Sequence, residues 1–184
     1  PRLYEKVRAA ILAKLSFVKK ALFMMALSVG RKTCLSQPWT DDIQHPFLFR
    51  LCQKIVFKKV YDKLGGRIRF FVSGGAPLSK TVFEFFECMG FPMVEGYGLT
   101  ESAPCIAGNR LDRVRKPGAV GQVLGSQEVR LAENGELLAK GPNIMQGYYQ
   151  DPNPEQSPLD GDWLHTGDIA TIDDEGYIFI VDRL

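Results

Sequence analysis

Residues 67–102 run in a fixed order that few folds accommodate. An apolar run, Arg67-Ile68-Arg69-Phe70-Phe71-Val72, is rich in β-branched and aromatic side chains and predicts a strand. Gly74-Gly75 predicts its exit. Residues 79–89 predict a helix with Ser79 at the N-cap, and Met93-Val94 a short strand that feeds a loop at Tyr97. Strand, loop, helix, strand, loop is the α/β pattern. Ligands in such folds sit at the carboxyl ends of parallel strands. Both glycine-containing loops fall at such ends, so the order of elements alone points to a site there.

The flanks extend the reading. Leu3, Val7, Ile11, Leu15, Val18, Leu22, Met25 and Val29 step by three or four, which predicts a helix over 3–29 with one apolar stripe, ended by Gly30. A second helix is predicted over 47–64, closed by Gly65-Gly66. A polar connection over 110–118 follows, and then short strands and turns. Asn134-Gly135 predicts a hairpin because both residues tolerate positive φ, and Asp173-Asp174-Glu175-Gly176 predicts another. The expected fold class is α/β. Residues 1–109 form its α/β part, and residues 110–184 form a β-rich, barrel-like part of the same domain.

Charge is uneven. Residues 1–69 hold 15 Lys/Arg against 4 Asp/Glu (15 − 4 = +11), and residues 70–184 hold 8 against 17 (8 − 17 = −9). A basic half can meet an anionic membrane surface, or pair with acidic parts of the same protein. No basic run exceeds two residues, and the basic residues are not interleaved with aromatics on one face, so a nucleic-acid module is disfavoured. The longest apolar stretch, residues 21–29, is too short to cross a bilayer, which takes about 20 residues. The cysteines at 34, 52, 88 and 105 form no C-x-x-C pair, so reduced thiols in a cytoplasmic protein are expected rather than a zinc site or a disulfide framework.

Three runs carry chemistry. Glu95-Gly96-Tyr97-Gly98-Leu99-Thr100-Glu101-Ser102 combines a ring that can stack on a base, a hydroxyl that can reach a phosphate and a carboxylate that can hold magnesium. Val72-Ser73-Gly74-Gly75-Ala76-Pro77-Leu78 precedes it, and Gly161-Asp162-Trp163-Leu164-His165-Thr166-Gly167-Asp168 follows it. In this order they resemble the adenylate-forming (AMP-binding) superfamily, and most closely a bacterial long-chain fatty acid–CoA ligase. The block Gly135-Glu136-Leu137-Leu138-Ala139-Lys140-Gly141-Pro142-Asn143-Ile144-Met145-Gln146-Gly147-Tyr148-Tyr149 also matches the superfamily. The resemblance covers residues 67–184 with specific motifs. It reaches residue 1 more loosely, through Pro1-Arg2-Leu3-Tyr4-Glu5-Lys6.

The resemblance implies an enzyme using ATP, magnesium and CoA, in which a carboxylate attacks the α-phosphate, pyrophosphate departs and a thiol then displaces AMP. Thr100 and Glu101 are its implied catalytic residues, the first on a phosphate oxygen and the second on magnesium. Tyr97 is expected to stack on adenine between Gly96 and Gly98, with Glu95 near the adenine amino group. Gly75, Ala76 and Pro77 are expected to line the adenine and ribose pocket through backbone groups, with Gly74 and Gly75 close to the acyl channel. Asp168 is expected to accept both ribose hydroxyls, and Arg183 to contact the ribose region. His165 has no nucleophile partner in sequence and is assigned to structure.

The superfamily's Ser/Thr/Gly-rich phosphate loop and its lysine-bearing C-terminal domain are not in these 184 residues. The chain starts at Pro1 and stops at Leu184, so both ends read as cuts, and the isolated chain is expected not to turn over. Rival readings are a fatty-acyl-AMP ligase or acyl-carrier-protein synthetase, a CoA ligase for medium-chain or aryl acids, and a non-catalytic nucleotide-binding fragment. A homodimer and peripheral contact with the inner face of a membrane are both compatible with the resemblance.

Overall fold

The structure is a computed structural model that describes residues 4, 5, 9, 16–39 and 46–184. The chain divides into two compact units that interleave along the sequence. The first comprises Pro1–Val72, Leu78–Val94 and Arg110–Pro117; the second comprises Ser73–Pro77, Glu95–Asn109 and Gly118–Leu184.

The first unit is helical. Helix α1 spans Phe17–Cys34, so the predicted stripe residues Leu3, Val7, Ile11 and Leu15, and most of the Pro1–Lys6 stretch, lie outside the described residues. Two expectations fail on this helix. It runs through Gly30 instead of ending there, and the buried positions are Phe23, Ala26, Gly30, Thr33 and Cys34, while Val18, Leu22 and Met25 are exposed. The reason is close packing. A Cβ on Gly30 would lie 1.8 Å from the Cys88 carbonyl oxygen, so the close approach at this position admits only glycine and turns the helix face accordingly.

Helix α2 (Phe47–Cys52) passes through a π-helical turn (Gln53–Phe57) into α3 (Lys58–Lys63). Gly65 and Gly66, both at positive φ, return their N–H groups to the Asp62 and Tyr61 carbonyls and close the helix as expected. Strand β1 (Phe71–Ser73) is shorter than predicted, and α4 covers Lys80–Cys88. Ser79 holds the N-cap position of α4, but its side chain makes no capping bond. The unit's core gathers Phe23, Phe49, Phe57, Phe83, Phe86, Met89 and Phe91, with Tyr61 stacked on Phe91 at 4.2 Å between ring centroids. Within it Glu87 and Arg115 form an ion pair at 2.7 Å, each side chain 1% exposed. Sequence reading had not singled out either residue.

The second unit is β-rich. Strand β2 (Met93–Gly98) enters it at Glu95; β3 (Cys105–Gly108) pairs with β2, and β4 (Gln122–Val123) with β3, all antiparallel. A five-stranded antiparallel sheet follows. Strands β5 (Glu128–Leu131), β6 (Glu136–Lys140), β8 (Trp163–Ile172) and β7 (Leu159–Asp160) lie in that order, and β9 (Ile178–Arg183) also pairs with β8. Both predicted hairpins form. In the first, only Gly135 takes positive φ; Asn134 instead accepts the Glu136 N–H on its side-chain oxygen. In the second, Asp173 accepts the N–H groups of Glu175 and Tyr177, and Gly176 takes φ +80°. Ala107, Leu137, Ala170 and Ile178 form the core of this unit. The molecule is therefore mixed α/β with a β-rich part. All four cysteines are free, three of them buried and Cys105 exposed. Among the described residues no helix is long and apolar enough to cross a membrane.

Candidate functional site

All twelve candidate residues fall in the second unit. Three local devices build their arrangement there.

The first is the turn after β2. A Cβ on Gly98 would lie 1.6 Å from the Pro104 carbonyl oxygen, so the chain folds back at a distance only glycine allows. Gly96 is under no such demand, because a Cβ there would stand 3.9 Å from its nearest neighbour. A 3-10 turn, Thr100–Ser102, follows. Its anchor is Ser102, fully buried, whose hydroxyl accepts the Leu99 N–H at 2.9 Å and donates to the Pro104 carbonyl at 2.6 Å. Thr100 is left exposed and Glu101 half-buried. The Glu101 carbonyl accepts the Met145 N–H at 2.8 Å, and its Oε1 accepts the Tyr148 hydroxyl at 2.6 Å. That bond holds the Glu101 carboxyl below the usual carboxylate range, helped by the positive charge of Arg183.

The second device sets Asp168 in β8. Glu136, 6% exposed at the start of β6, accepts the Gly167 N–H on Oε1 at 2.9 Å and meets His165 Nδ1 with Oε2 at 2.9 Å. Thr166 donates to the Leu137 carbonyl and accepts the Asp168 N–H. Gly167 takes φ +73°, and the β6–β8 register slips between Glu136 and Leu138. The strand is thus bulged beside Asp168, a device that re-aims a side chain. His165 is held by this network, in agreement with its assignment to structure.

The third device joins the motifs. The Tyr97 hydroxyl donates to Asp168 Oδ2 at 2.7 Å across 71 residues of sequence. Burial, together with the Asp168 carboxylate, pushes the Tyr97 phenol well up, so it stays a donor at neutral pH. Its ring packs against the core of the unit. Arg183 stands opposite Asp168 in the β8–β9 register, with Nε 3.9 Å from Oδ1. The loop 74–77 is exposed, with Gly75 at φ +77°, and Gly74 lies beside the Gly96 carbonyl. Glu95 is buried, and its backbone carbonyl accepts the Asn109 N–H.

Thus Tyr97, Asp168 and Arg183 form one cluster, and the charge of Arg183 also reaches Glu101. Sequence reading assigned no role to Tyr148 or Glu136, although both stand in the Gly135–Tyr149 block. The polar Glu136 opening the otherwise apolar Leu137-Leu138-Ala139 run was the available signal. A cavity of about 450 Å³ lined by Gln53, Lys54, Lys58 and Tyr61 belongs to the first unit and contains no candidate residue.

Such an arrangement can bind a nucleotide. The Asp168 oxygens retain lone pairs beyond the Tyr97 bond, which suits vicinal hydroxyls. Among the described residues no three His, Cys, Asp or Glu side chains could together hold a metal.

Comparison with known proteins gives the family. The AMP-binding enzyme family matches residues 12–149. Long chain acyl-CoA synthetase 7 of Arabidopsis thaliana is 35% identical over 202 residues, covering 100% of this chain and 28% of that protein. The long-chain-fatty-acid–CoA ligase of Yersinia pestis is 41% identical over 127 residues, covering 63% of this chain and 23% of that protein. The o-succinylbenzoate CoA synthetase of Bacillus subtilis, solved with ATP and magnesium, matches with a TM-score of 0.55 and 26% identity over 68% of this chain and 30% of that one. The chain therefore spans about a quarter of the length of these relatives. The chain belongs to the AMP-binding enzyme family.

Proposed function

We propose that the protein activates a long-chain fatty acid as its acyl-adenylate, with magnesium and ATP, and passes the acyl group to CoA. The observation that carries this reading is the cluster of Tyr97, Asp168 and Arg183, with Glu101 within reach of the same arginine. Asp168 accepts the two ribose hydroxyls. Tyr97 presents its ring to adenine and keeps Asp168 in place through its hydroxyl. The exposed loop 74–77 offers backbone groups to adenine and ribose. The Thr100 hydroxyl donates to a phosphate oxygen. Glu101, held ionised, supplies the carboxylate for magnesium. Bound there, the ion would neutralise charge on the ATP phosphates as the acid's oxygen bonds to the α-phosphorus and the bond to pyrophosphate breaks. In the second step the CoA sulfur bonds to the acyl carbonyl carbon and AMP leaves.

The acyl class rests on the long-chain relatives. The likeness to o-succinylbenzoate CoA synthetase supports an aromatic acid as the second reading. The test is pyrophosphate release by the full-length protein with magnesium-ATP, across fatty acids of increasing length and o-succinylbenzoate, with and without CoA. Release that needs a long-chain acid, with turnover that needs CoA, is the expected result. Release without any effect of CoA would redirect the acyl-adenylate to another acceptor such as a carrier protein. Release with the aromatic acid alone would replace the long-chain reading.

A further inference from the structure

We infer that Tyr148 is a positioning residue for Glu101, and that residues 143–148 form a strap that sets the carboxylate for a divalent cation on a nucleotide. The inference rests on the reading of Glu101 as the magnesium carboxylate and adds a role for a block that the mechanism leaves unused.

Glu101 sits on one 3-10 turn, Thr100–Ser102, too short to be fixed by its own ladder of hydrogen bonds. The strap supplies what the turn lacks. Asn143 donates its side-chain amide to the Ser102 carbonyl, and at 3.3 Å to the Cys105 carbonyl. Met145 donates its N–H to the Glu101 carbonyl at 2.8 Å. Tyr148 then donates its hydroxyl to Glu101 Oε1 at 2.6 Å, a bond strengthened by the negative charge of its acceptor. Backbone and side chain of the same residue are thus held from one segment. A carboxylate has about four lone-pair sites, so one bond at Oε1 orients the group and leaves acceptors for a cation.

Packing does not account for this tyrosine. Tyr148 is 51% exposed and Tyr149 beside it 91%. Gly147 takes φ +142° and Gln150 φ +50°, so the backbone departs from its usual region on both sides of this pair. A Cβ on Gly147 would meet nothing within 4 Å, so conformation rather than space calls for glycine there. A hydrogen-bonding partner behind a metal carboxylate is the kind of group whose loss weakens metal binding about 10- to 100-fold.

The experiment is calorimetric titration of the full-length protein with ATP at a series of magnesium concentrations, for the wild type and for Tyr148→Phe, Tyr148→Ala, Tyr149→Phe and Glu101→Gln, with a thermal melt of each. Tyr148→Phe and Tyr148→Ala are expected to raise the half-saturating magnesium about tenfold while leaving ATP affinity without magnesium, and the melting temperature, unchanged. Tyr149→Phe is expected to match the wild type. Glu101→Gln is expected to abolish the magnesium dependence. If Glu101→Gln does so and Tyr148→Phe matches the wild type, the positioning role is wrong and the reading of Glu101 stands. An effect of Tyr148→Ala without one of Tyr148→Phe would assign the ring, not the hydroxyl, and overturn the inference as well. Wild-type magnesium dependence in Glu101→Gln would overturn the reading of Glu101 and the inference together.

Discussion

The buried pair Glu87–Arg115 gives the sharpest test of what holds the first unit together. Both side chains are 1% exposed. Arg115 Nε reaches Glu87 Oε1 at 2.7 Å and Nη2 reaches Oε2 at 3.0 Å, a two-point contact. Oε1 also accepts the N–H of Met93, the first residue of β2, at 2.8 Å. Arg115 Nη1 donates further to the Leu111 and Arg113 carbonyls. Arg115→Met leaves an ionised carboxylate buried with one remaining donor, the Met93 N–H. Breaking a buried pair in this way costs about 3–5 kcal/mol. Glu87→Leu leaves a buried guanidinium and strands the Met93 N–H, so its cost lies at the upper end of about 3–5 kcal/mol. The double variant removes both charges. It still strands the Met93 N–H, at about 1–3 kcal/mol, and leaves the Leu111 and Arg113 carbonyls without the guanidinium donor they had. The double variant should therefore be more stable than either single one. Urea unfolding of the four proteins at 25 °C, followed by circular dichroism and compared at constant m-value, measures this cycle. Single costs that simply add in the double variant would refute the reasoning, since the pair would then not be one energetic unit.

Other outcomes follow from the same geometry. Gly30→Ala places a methyl where the Cys88 carbonyl oxygen stands, so α1 or α4 must shift, and urea unfolding should show a loss of at least about 1–3 kcal/mol. Gly98→Ala meets the Pro104 carbonyl in the same way and should also weaken ATP binding in calorimetry, whereas Gly96→Ala should be far milder because space exists there. Tyr97→Phe keeps the ring and removes the bond to Asp168, a hydrogen bond to a charged group, worth about 1.5–3 kcal/mol. It should raise the KM for ATP about tenfold or more, and Asp168→Ala should raise it further. Burial pushes the Tyr61 phenol up to about 12, with its hydroxyl on the Met89 and Gly90 carbonyls. Its folded pKa exceeds the unfolded value of about 10, so its contribution is full below pH 10 and fades as pH rises toward 12. Tyr61→Phe should flatten the fall in urea midpoint between pH 9 and 11.5, and an unchanged slope would refute this.

What was legible in the sequence was what repeats or punctuates. Gly65-Gly66, Gly135 and Gly176 closed a helix and two hairpins where they were expected, because positive φ is a local demand that local residues announce. Helix α1 was misread because its buried face is set by another element. Ala26 and Gly30 are weak signals in a stripe dominated by Leu and Met, and only the approach of the Cys88 carbonyl shows why they face inward. The Glu87–Arg115 pair was invisible for a similar reason. The residues stand 28 positions apart, and a charged residue in an amphipathic helix reads as a solvated one.

The site shows the same division between the chemistry of a residue and what holds it. Tyr97, Glu101 and Asp168 could be singled out because their types suit a nucleotide. Their partners could not, since a tyrosine that holds a carboxylate looks in sequence like any other tyrosine. Yet Glu136 and Tyr148 stand where a polar residue interrupts a run or follows a glycine at positive φ. The side chain of each makes its hydrogen bonds with a motif about 30 or 47 residues away. Conformation at Gly167 and Gly147 is what lets each partnership form. The glycines of these motifs therefore do two separate jobs. Gly98 makes room for backbone at the turn, whereas Gly147 and Gly167, where a Cβ would meet nothing within 4 Å, supply positive φ. Replacing the first should act through packing and the other two through backbone strain, which separates the two roles even where all three lower nucleotide affinity.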